Sequence, residues 1–286
     1  MFSTEQATTH RVLAKVVPRP EFVGSLHDDA MARSLGYPAA LVPGIDIYAY
    51  LAGLALAAWG RDWLWRGALR SQSLRPVYND EVLQIEAGPL ERNAEGEAVA
   101  LTVRNPQGTV VAEGRASMLH EPRPEPALAD FPLVPRSIPI PPGAPQDLRP
   151  GMRFSAQPEL LTPAQAAQAA QEFFEPSSLY RDEGLVHPGY LQRYALRQAH
   201  ASYAHATPPI YISAEGEHYA PARAGEPLNM SGVIYKLWER KGHHYMESEQ
   251  LIIAGEPGRQ RPVMRVRRTT IYQARRSSEA GSRTEG

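Results

Sequence analysis

Residues that could move a proton occur at two places along this 286-residue chain. The first is His27-Asp28, just ahead of a short helical run that Gly36 ends. The second is His187, with Asp182 five residues before it. A histidine takes up and releases protons near neutral pH, and a neighbouring carboxylate can orient it. Each place therefore provides candidates for general acid–base catalysis.

Two glycines could bind the oxygen of a carbonyl group. Gly44 and Gly189 each follow a proline at the predicted start of a long helix. The first amides of a helix have no partner inside the helix, and the helix dipole places positive potential there. Glycine leaves that backbone bare, so a carbonyl could approach it. The simpler interpretation is that Pro-Gly only starts each helix.

Structural roles are also open for the other candidates. Asp28 could be the cap of the short helix that follows it, and His187 could be a loop histidine whose hydrogen bonds are satisfied. Tyr180 and Arg181, in the loop before His187, are candidates for substrate binding or for an ordinary surface loop. No metal site is expected, since His243 and His244 are neighbours on a predicted strand and face opposite sides.

An internal repeat indicates how these candidates are positioned. Shifting residues 186–230 back by 145 positions aligns them without a gap on residues 41–85, with six identities. The identities fall on positions where helices and strands are predicted to begin, and Pro43-Gly44 coincides with Pro188-Gly189. The chain therefore reads as one unit written twice.

Each unit is predicted to contain one long helix followed by antiparallel strands joined by tight turns. The helix over residues 45–62 is apolar around most of its circumference, so other elements must surround it. The predicted strands span residues 67–75, 81–88, 97–104 and 109–119 in the first unit and residues 210–219, 226–238, 244–254 and 262–273 in the second.

The predicted organisation has four parts. An N-terminal domain (residues 1–120) is followed by a linker over residues 121–150, which holds 10 of the 27 prolines and is therefore extended. A C-terminal domain (residues 151–274) and a disordered polar tail (residues 275–286) complete the chain. A sheet curling around each helix, with the two sheets paired edge to edge, is an α+β architecture of the double hotdog type.

Composition excludes several kinds of partner. The net charge of −1 argues against nucleic acid, because phosphate binding needs a basic excess. No apolar run approaches the roughly 20 residues of a membrane span, and we expect no signal peptide from the composition of the first residues. The absence of cysteine excludes disulfides and thiolate chemistry. We expect a cytoplasmic protein with no cofactor.

The segments around the helix starts resemble the MaoC-like enoyl-CoA hydratase/dehydratase family. The resemblance rests on the run from His27 to Pro38, on Leu41-Val42-Pro43-Gly44, and on Leu185-Val186-His187-Pro188-Gly189. It implies the double hotdog fold and a hydro-lyase that adds or removes water across a 2-enoyl or 3-hydroxyacyl thioester of coenzyme A or a carrier protein. A homodimer is left open.

The Asp–His dyad of that family is intact in neither half. Counting back from Gly36 places the family's histidine on Leu26 and its aspartate near Glu21. The active site is therefore expected to be displaced, with His27, Asp28, His187 and Asp182 as catalytic candidates. The substrate-binding candidates are Gly44, Gly189, Tyr180 and Arg181.

Two alternatives to a hydratase remain, namely a protein that only binds an acyl thioester or hydrophobic ligand, and a hotdog thioesterase. The arginines on the last strand also have two interpretations. Seven arginines lie in residues 259–276, and they form either a solvated sheet face or a contact with coenzyme A phosphates.

Overall fold

One wide antiparallel sheet organises the protein in a computed structural model. The structure describes residues 2–3, 8–175, 177–205 and 209–275, so the tail predicted to be disordered lies almost wholly outside the described residues. The strands are β1 (Thr8–Leu13), β2 (Gly67–Ser73), β3 (Val82–Ala87), β4 (Glu91–Arg92), β5 (Gly96–Arg104), β6 (Val110–Leu119), β7 (Arg153–Phe154), β8 (Glu159–Leu160), β9 (Ile210–His218), β10 (Pro227–Arg240), β11 (His243–Ala254) and β12 (Arg261–Gln273).

The two halves of the chain share this sheet. Its order is β1-β3-β5-β6-β2-β9-β12-β11-β10-β7, with β4 paired to β5 and β8 paired to β10. The halves meet where β2 pairs with β9, in a register that runs from Ala68 opposite Glu217 to Gln72 opposite Ser213. Pairing in this way closes one exposed edge on each half-sheet.

Six α-helices are present among the described residues, two of them at the positions that the repeat predicts. They are α1 (Asp29–Ser34), α2 (Gly44–Trp59), α3 (Trp63–Arg66), α4 (Pro163–Glu172), α5 (Leu179–Asp182) and α6 (Pro188–His200). The long helices α2 and α6 begin at Pro43-Gly44 and Pro188-Gly189, as the aligned Pro-Gly pairs indicate. No helix within the described residues is both long enough and apolar enough to span a bilayer.

The helix α2 is enclosed because its residues are apolar on nearly all sides. Ten of its residues are buried, and it packs on β2, β6 and β9 as well as on α6. It ends at Gly60, whose φ of 68° is a conformation that glycine adopts without strain. The two long helices therefore lie side by side against one sheet.

The proline-rich segment, residues 121–150, is bonded along part of its length to the second half of the chain. Pro135 forms a β-bridge with Ala156 and Pro142 forms one with Ala204, and Ser231 donates a hydrogen bond to the Pro132 carbonyl.

The prediction of two sheets, each around a long helix and paired into one wide sheet, is confirmed.

Candidate functional site

The start of α2, which we call the α2 entrance (residues 41–46), has free backbone donors. Its N-cap is Pro43, whose side chain cannot accept a hydrogen bond from the helix. The amides of Gly44 and Ile45 have no acceptor among the described residues. Two N–H groups at a helix N-terminus, in positive potential, suit an oxygen that carries or develops negative charge.

The backbone at Gly44 is approached closely by polar side chains of the sheet. A Cβ on Gly44 would overlap Cδ1 of Tyr211 and would lie 3.0 Å from Oγ of Ser73. The Tyr211 hydroxyl is 2.7 Å from Oγ of Ser71. Tyr211 belongs to β9 of the second half, so both halves build the α2 entrance.

His27 is held beside the α2 entrance by the backbone. Its Nδ1 donates to the Leu41 carbonyl at 2.7 Å, while the Leu41 amide donates to the Leu26 carbonyl at 2.8 Å. This arrangement leaves the lone pair on Nε2, which has no partner among the described residues. Burial lowers the pKa of His27, against the raising effects of the Leu41 hydrogen bond and the Asp46 charge. A neutral imidazole with a free Nε2 can act as a base.

A buried ion pair joins the two halves at the same entrance. Oδ1 of Asp46, in the first turn of α2, lies 3.1 Å from Nη2 of Arg193 on α6. Burial raises the pKa of Asp46, and Arg193 opposes that rise. Arg193 Nη1 also lies 2.9 Å from Glu172, which in turn pairs with Arg19. The pair holds the first turn of α2 against α6.

Arg193 also borders an open cleft. Arg19, Glu172, Tyr190 and Arg193 line this cleft, which has a volume of about 310 Å³. Arg193 therefore contacts both the cleft and Asp46 of the α2 entrance.

The start of α6, the α6 entrance (residues 185–190), differs from its counterpart. His187 is fully buried and is the N-cap, and its Nδ1 accepts the Gly189 amide at 2.9 Å. A Cβ on Gly189 would lie 2.5 Å from the Cβ of Ala49 on α2. The glycine is therefore needed for helix packing, and its amide is already bonded.

Buried side chains enclose the ring of His187. Its Nε2 lies 3.8 Å from Oε2 of Glu175, and its ring lies 4.9 Å from the rings of Phe173 and Tyr180. Neither the His187 Nε2 nor the Tyr180 hydroxyl has a hydrogen-bond partner among the described residues. Burial lowers the pKa of His187, although Glu175 acts to raise it.

The other sequence-based candidates lie on the surface with local partners. Asp28 caps α1, accepting the amides of Ala30 at 2.9 Å and Met31 at 3.4 Å. Arg181 and Asp182 are exposed and pair with each other, with Nε 2.8 Å from Oδ1. The structure therefore places His27 and Gly44 together at one entrance and Tyr180, His187 and Gly189 together at the other.

Sequence reasoning missed the residues that complete the α2 entrance. Asp46 had a signal, because it is the one charged residue in the otherwise apolar helix Gly44–Trp59. Arg193 and Tyr211 had none, since they are far from Asp46 and Gly44 in sequence and meet them only in the fold.

A buried histidine beside these sites predicts acid sensitivity. His218 packs on Trp63 with ring centroids 4.6 Å apart, and burial lowers its pKa to about 3. Between pH 6.5 and 3 the unfolded chain binds a proton that the folded protein does not, so stability falls as pH falls. Acidification from pH 7 to pH 5 should cost about 2 kcal/mol through this residue alone.

Urea unfolding at both pH values tests this prediction. His218→Gln should lose about 2 kcal/mol less than the wild type on acidification. The exposed His120→Gln is the control and should behave as the wild type does. Equal losses in His218→Gln and in the wild type would contradict the assignment of His218.

Comparison with known proteins identifies the fold. No family model matches the chain, and a search of curated proteins found no match. Among solved structures, a protein of Chloroflexus aurantiacus named as a MaoC domain dehydratase aligns over 96% of both chains, with a TM-score of 0.62 and 16% identity. Rv0216 of Mycobacterium tuberculosis, described as a double hotdog protein, aligns over 94% of this chain and 96% of its own, with a TM-score of 0.62 and 14% identity.

A protein named as a thioesterase shares the same arrangement. A Lactobacillus plantarum protein named as an oleoyl thioesterase aligns over 94% of this chain and 97% of its own, with a TM-score of 0.52 and 10% identity. Identities this low establish the fold alone. The chain is a protein of the double hotdog fold, and its resemblance to MaoC-like dehydratases is confirmed at the level of that fold.

Proposed function

We propose that this protein binds an acyl thioester at the α2 entrance and adds or removes water across its 2,3 bond. The observation that carries the proposal is the pairing of free helix amides at Gly44 and Ile45 with an oriented, neutral His27. Structural neighbours named as dehydratases and thioesterases support acyl-thioester chemistry on this fold.

The residues at the α2 entrance divide the reaction between them. The thioester oxygen accepts hydrogen bonds from the amides of Gly44 and Ile45, which stabilise the negative charge of an enolate. In dehydration, Nε2 of His27 takes the α proton of a 3-hydroxyacyl thioester. The imidazolium then gives its proton to the departing 3-hydroxyl, which leaves as water while the double bond forms. Hydration is the reverse sequence.

In this proposal His27 takes the place of the Asp–His dyad that the sequence lacks. The Leu41 carbonyl, rather than a carboxylate, fixes its tautomer, and the charge of Asp46 acts to raise its pKa. The α6 entrance has a structural role in this proposal, because His187 and the Gly189 amide bond to each other. His187, Asp182, Tyr180 and Arg181 are therefore not assigned to the reaction.

Replacing His27 tests the proposal. The variant His27→Ala should hydrate enoyl-CoA with a kcat/KM lower by about 10² to 10⁴, the usual contribution of a general acid–base group. The loss should lie mainly in kcat, because the amides that bind the thioester oxygen remain. The measurement is the decrease of enoyl absorbance across a panel of chain lengths, with His120→Ala as the control for an exposed histidine.

Each alternative function predicts a different result. Binding of acyl-CoA by calorimetry without turnover of any thioester would indicate a binding protein. Release of free thiol would indicate a thioesterase. Undiminished hydration by a folded His27→Ala variant, checked by thermal unfolding, would remove His27 from the mechanism.

A further inference from the structure

A serine hydroxyl without a partner lies at the α2 entrance. Ser71 and Ser73 belong to the row of β2 that faces the core, together with Leu69, because alternate residues of a strand share a face. The Ser71 hydroxyl is bonded to that of Tyr211, whereas the Ser73 hydroxyl has no hydrogen-bond partner among the described residues. Hydroxyls that face a core usually find a partner, so the Ser73 hydroxyl is available to a ligand.

The position of this hydroxyl is fixed relative to the first residue of α2. Oγ of Ser73 lies 3.0 Å from the point that a Cβ on Gly44 would occupy. The Cα–Cβ bonds of a helix tilt toward its N-terminus, which is also the direction in which its free N–H groups point. The hydroxyl therefore lies on the same side of Gly44 as the amides of Gly44 and Ile45, which have no acceptor among the described residues.

The sheet holds the hydroxyl in place. Ser73 is the last residue of β2, and its backbone is paired with Ala112 of β6. The ring of Tyr211 borders the same part of Gly44, with its Cε1 atom 3.0 Å from the Cβ point. Ser73 is half-buried, so a ligand at the α2 entrance can reach it. A donor carried by a strand needs little reorganisation when charge develops beside it.

An additional donor beside two amides matters most when the thioester oxygen becomes negative. The oxygen of a thioester carbonyl has two lone pairs, which the amides of Gly44 and Ile45 can use. The oxygen of the enolate has a third lone pair, which a further donor can use. A donor of this kind stabilises the enolate more than it stabilises the bound substrate, and such differential binding increases kcat.

We propose that the Ser73 hydroxyl is a third hydrogen-bond donor to the thioester oxygen and that its bond strengthens as the enolate forms. This proposal rests on the proposed function, because it takes the thioester oxygen to be at the amides of Gly44 and Ile45. Ser73 keeps its own proton throughout. The α proton still passes to His27, and the 3-hydroxyl still leaves as water.

Removing the hydroxyl tests this role in turnover. Ser73→Ala should lower kcat for enoyl-CoA hydration at least tenfold with little change in KM, because the loss of one oxyanion donor commonly costs about 10² to 10³ in kcat. Ser213→Ala is the matched control. Ser213 is a half-buried serine of β9 that pairs with Gln72, so it lies on the opposite face of the sheet from Ser73 and should keep the wild-type kcat.

A 3-oxoacyl thioester reports on the same oxygen without turnover. Acetoacetyl-CoA has no double bond to hydrate, and the ultraviolet absorbance of its enolate distinguishes that form from the keto form. Titration with pH should show that the enolate bound to Ser73→Ala forms at a pH about one unit higher than the enolate bound to the wild type, which is a tenfold difference in stability. A serine with only a structural role would leave this titration unchanged.

The outcomes separate this proposal from the proposed function. If the wild type hydrates enoyl-CoA and a folded Ser73→Ala, checked by thermal unfolding, matches it in kcat and in the enolate titration, Ser73 is not a donor and the role of His27 stands. A raised KM with unchanged kcat would also overturn the proposal, because the hydroxyl would then stabilise substrate and transition state equally. If the wild type neither hydrates enoyl-CoA nor binds acetoacetyl-CoA, both proposals fail.

Discussion

Replacing Arg193 by methionine is expected to lower the free energy of unfolding by about 3 kcal/mol at neutral pH. The Asp46 carboxylate would remain buried without the guanidinium that now lies 3.1 Å away, and an unpaired buried charge is costly. Glu172 would keep its contact with Arg19, so the loss falls mainly on Asp46. Chemical denaturation of the variant and the wild type measures the difference.

A second substitution isolates the ion pair from the rest of Arg193. The double variant Asp46→Asn/Arg193→Met should recover most of the loss, because a neutral amide costs less to bury than a carboxylate. The matched control is Arg197→Met on the same helix. Arg197 is half exposed where it pairs with Glu159, so this variant should lose less than about 1 kcal/mol.

The pH dependence of this effect has a definite sign. Burial raises the pKa of Asp46 above its ordinary value, so the folded protein binds this proton more readily than the unfolded chain does. The deficit of Arg193→Met relative to the double variant should therefore shrink as pH falls toward the ordinary pKa of aspartate. If Arg193→Met were as stable as the double variant at every pH, Arg193 would contribute only through packing, such as its contact with the Phe173 ring.

Replacing Gly189 by alanine is expected to destabilise the protein by about 2 to 3 kcal/mol. The new Cβ would lie 2.5 Å from the Cβ of Ala49 and 3.1 Å from the Phe173 ring, so α2 and α6 would have to separate. Overpacking of this kind commonly costs about 1 to 3 kcal/mol. Thermal and urea unfolding of the variant measure the effect.

Relieving the contact from the other helix provides the control. Ala49→Gly alone should cost about 1 kcal/mol, the usual penalty of glycine within a helix. Combined with Gly189→Ala, it should recover a large part of the loss, so the two changes should be strongly non-additive. Simple additivity would show that the helices are not in contact at this point.

Much of the fold was predictable because local sequence patterns indicate where its helices and strands begin and which faces are buried. Glycine after proline marks the start of both long helices, and the apolar circumference of α2 requires that other elements surround it. Alternation located the main strands to within a few residues. The pairing of β2 with β9 was harder to predict from sequence, because several strand edges could in principle have joined the halves.

Site residues were predictable only where their neighbours in sequence mark them as unusual. His27 and Gly44 were identified from their neighbours in sequence, whereas Arg193 meets Asp46 across 147 positions. In sequence, the candidates at the α6 entrance looked equivalent to those at the α2 entrance. Only the structure shows that the Gly189 amide donates a hydrogen bond to His187. Ser73 had a signal in the alternation of β2, where a hydroxyl falls in the row that faces the core.

The arginines of β12 divide between the two faces of the sheet. Arg267 faces outward and pairs with Glu249, as the solvated interpretation predicts, whereas Arg268 is only 2% exposed and lies in the buried row.

Joining both halves in one chain through β2 and β9 has a consequence for how they can differ. Two identical subunits related by a twofold axis must change together, because every substitution appears on both sides. Here each half mutates independently. At one helix start His187 bonds the Gly189 amide, while at the other the amides of Gly44 and Ile45 have no acceptor among the described residues.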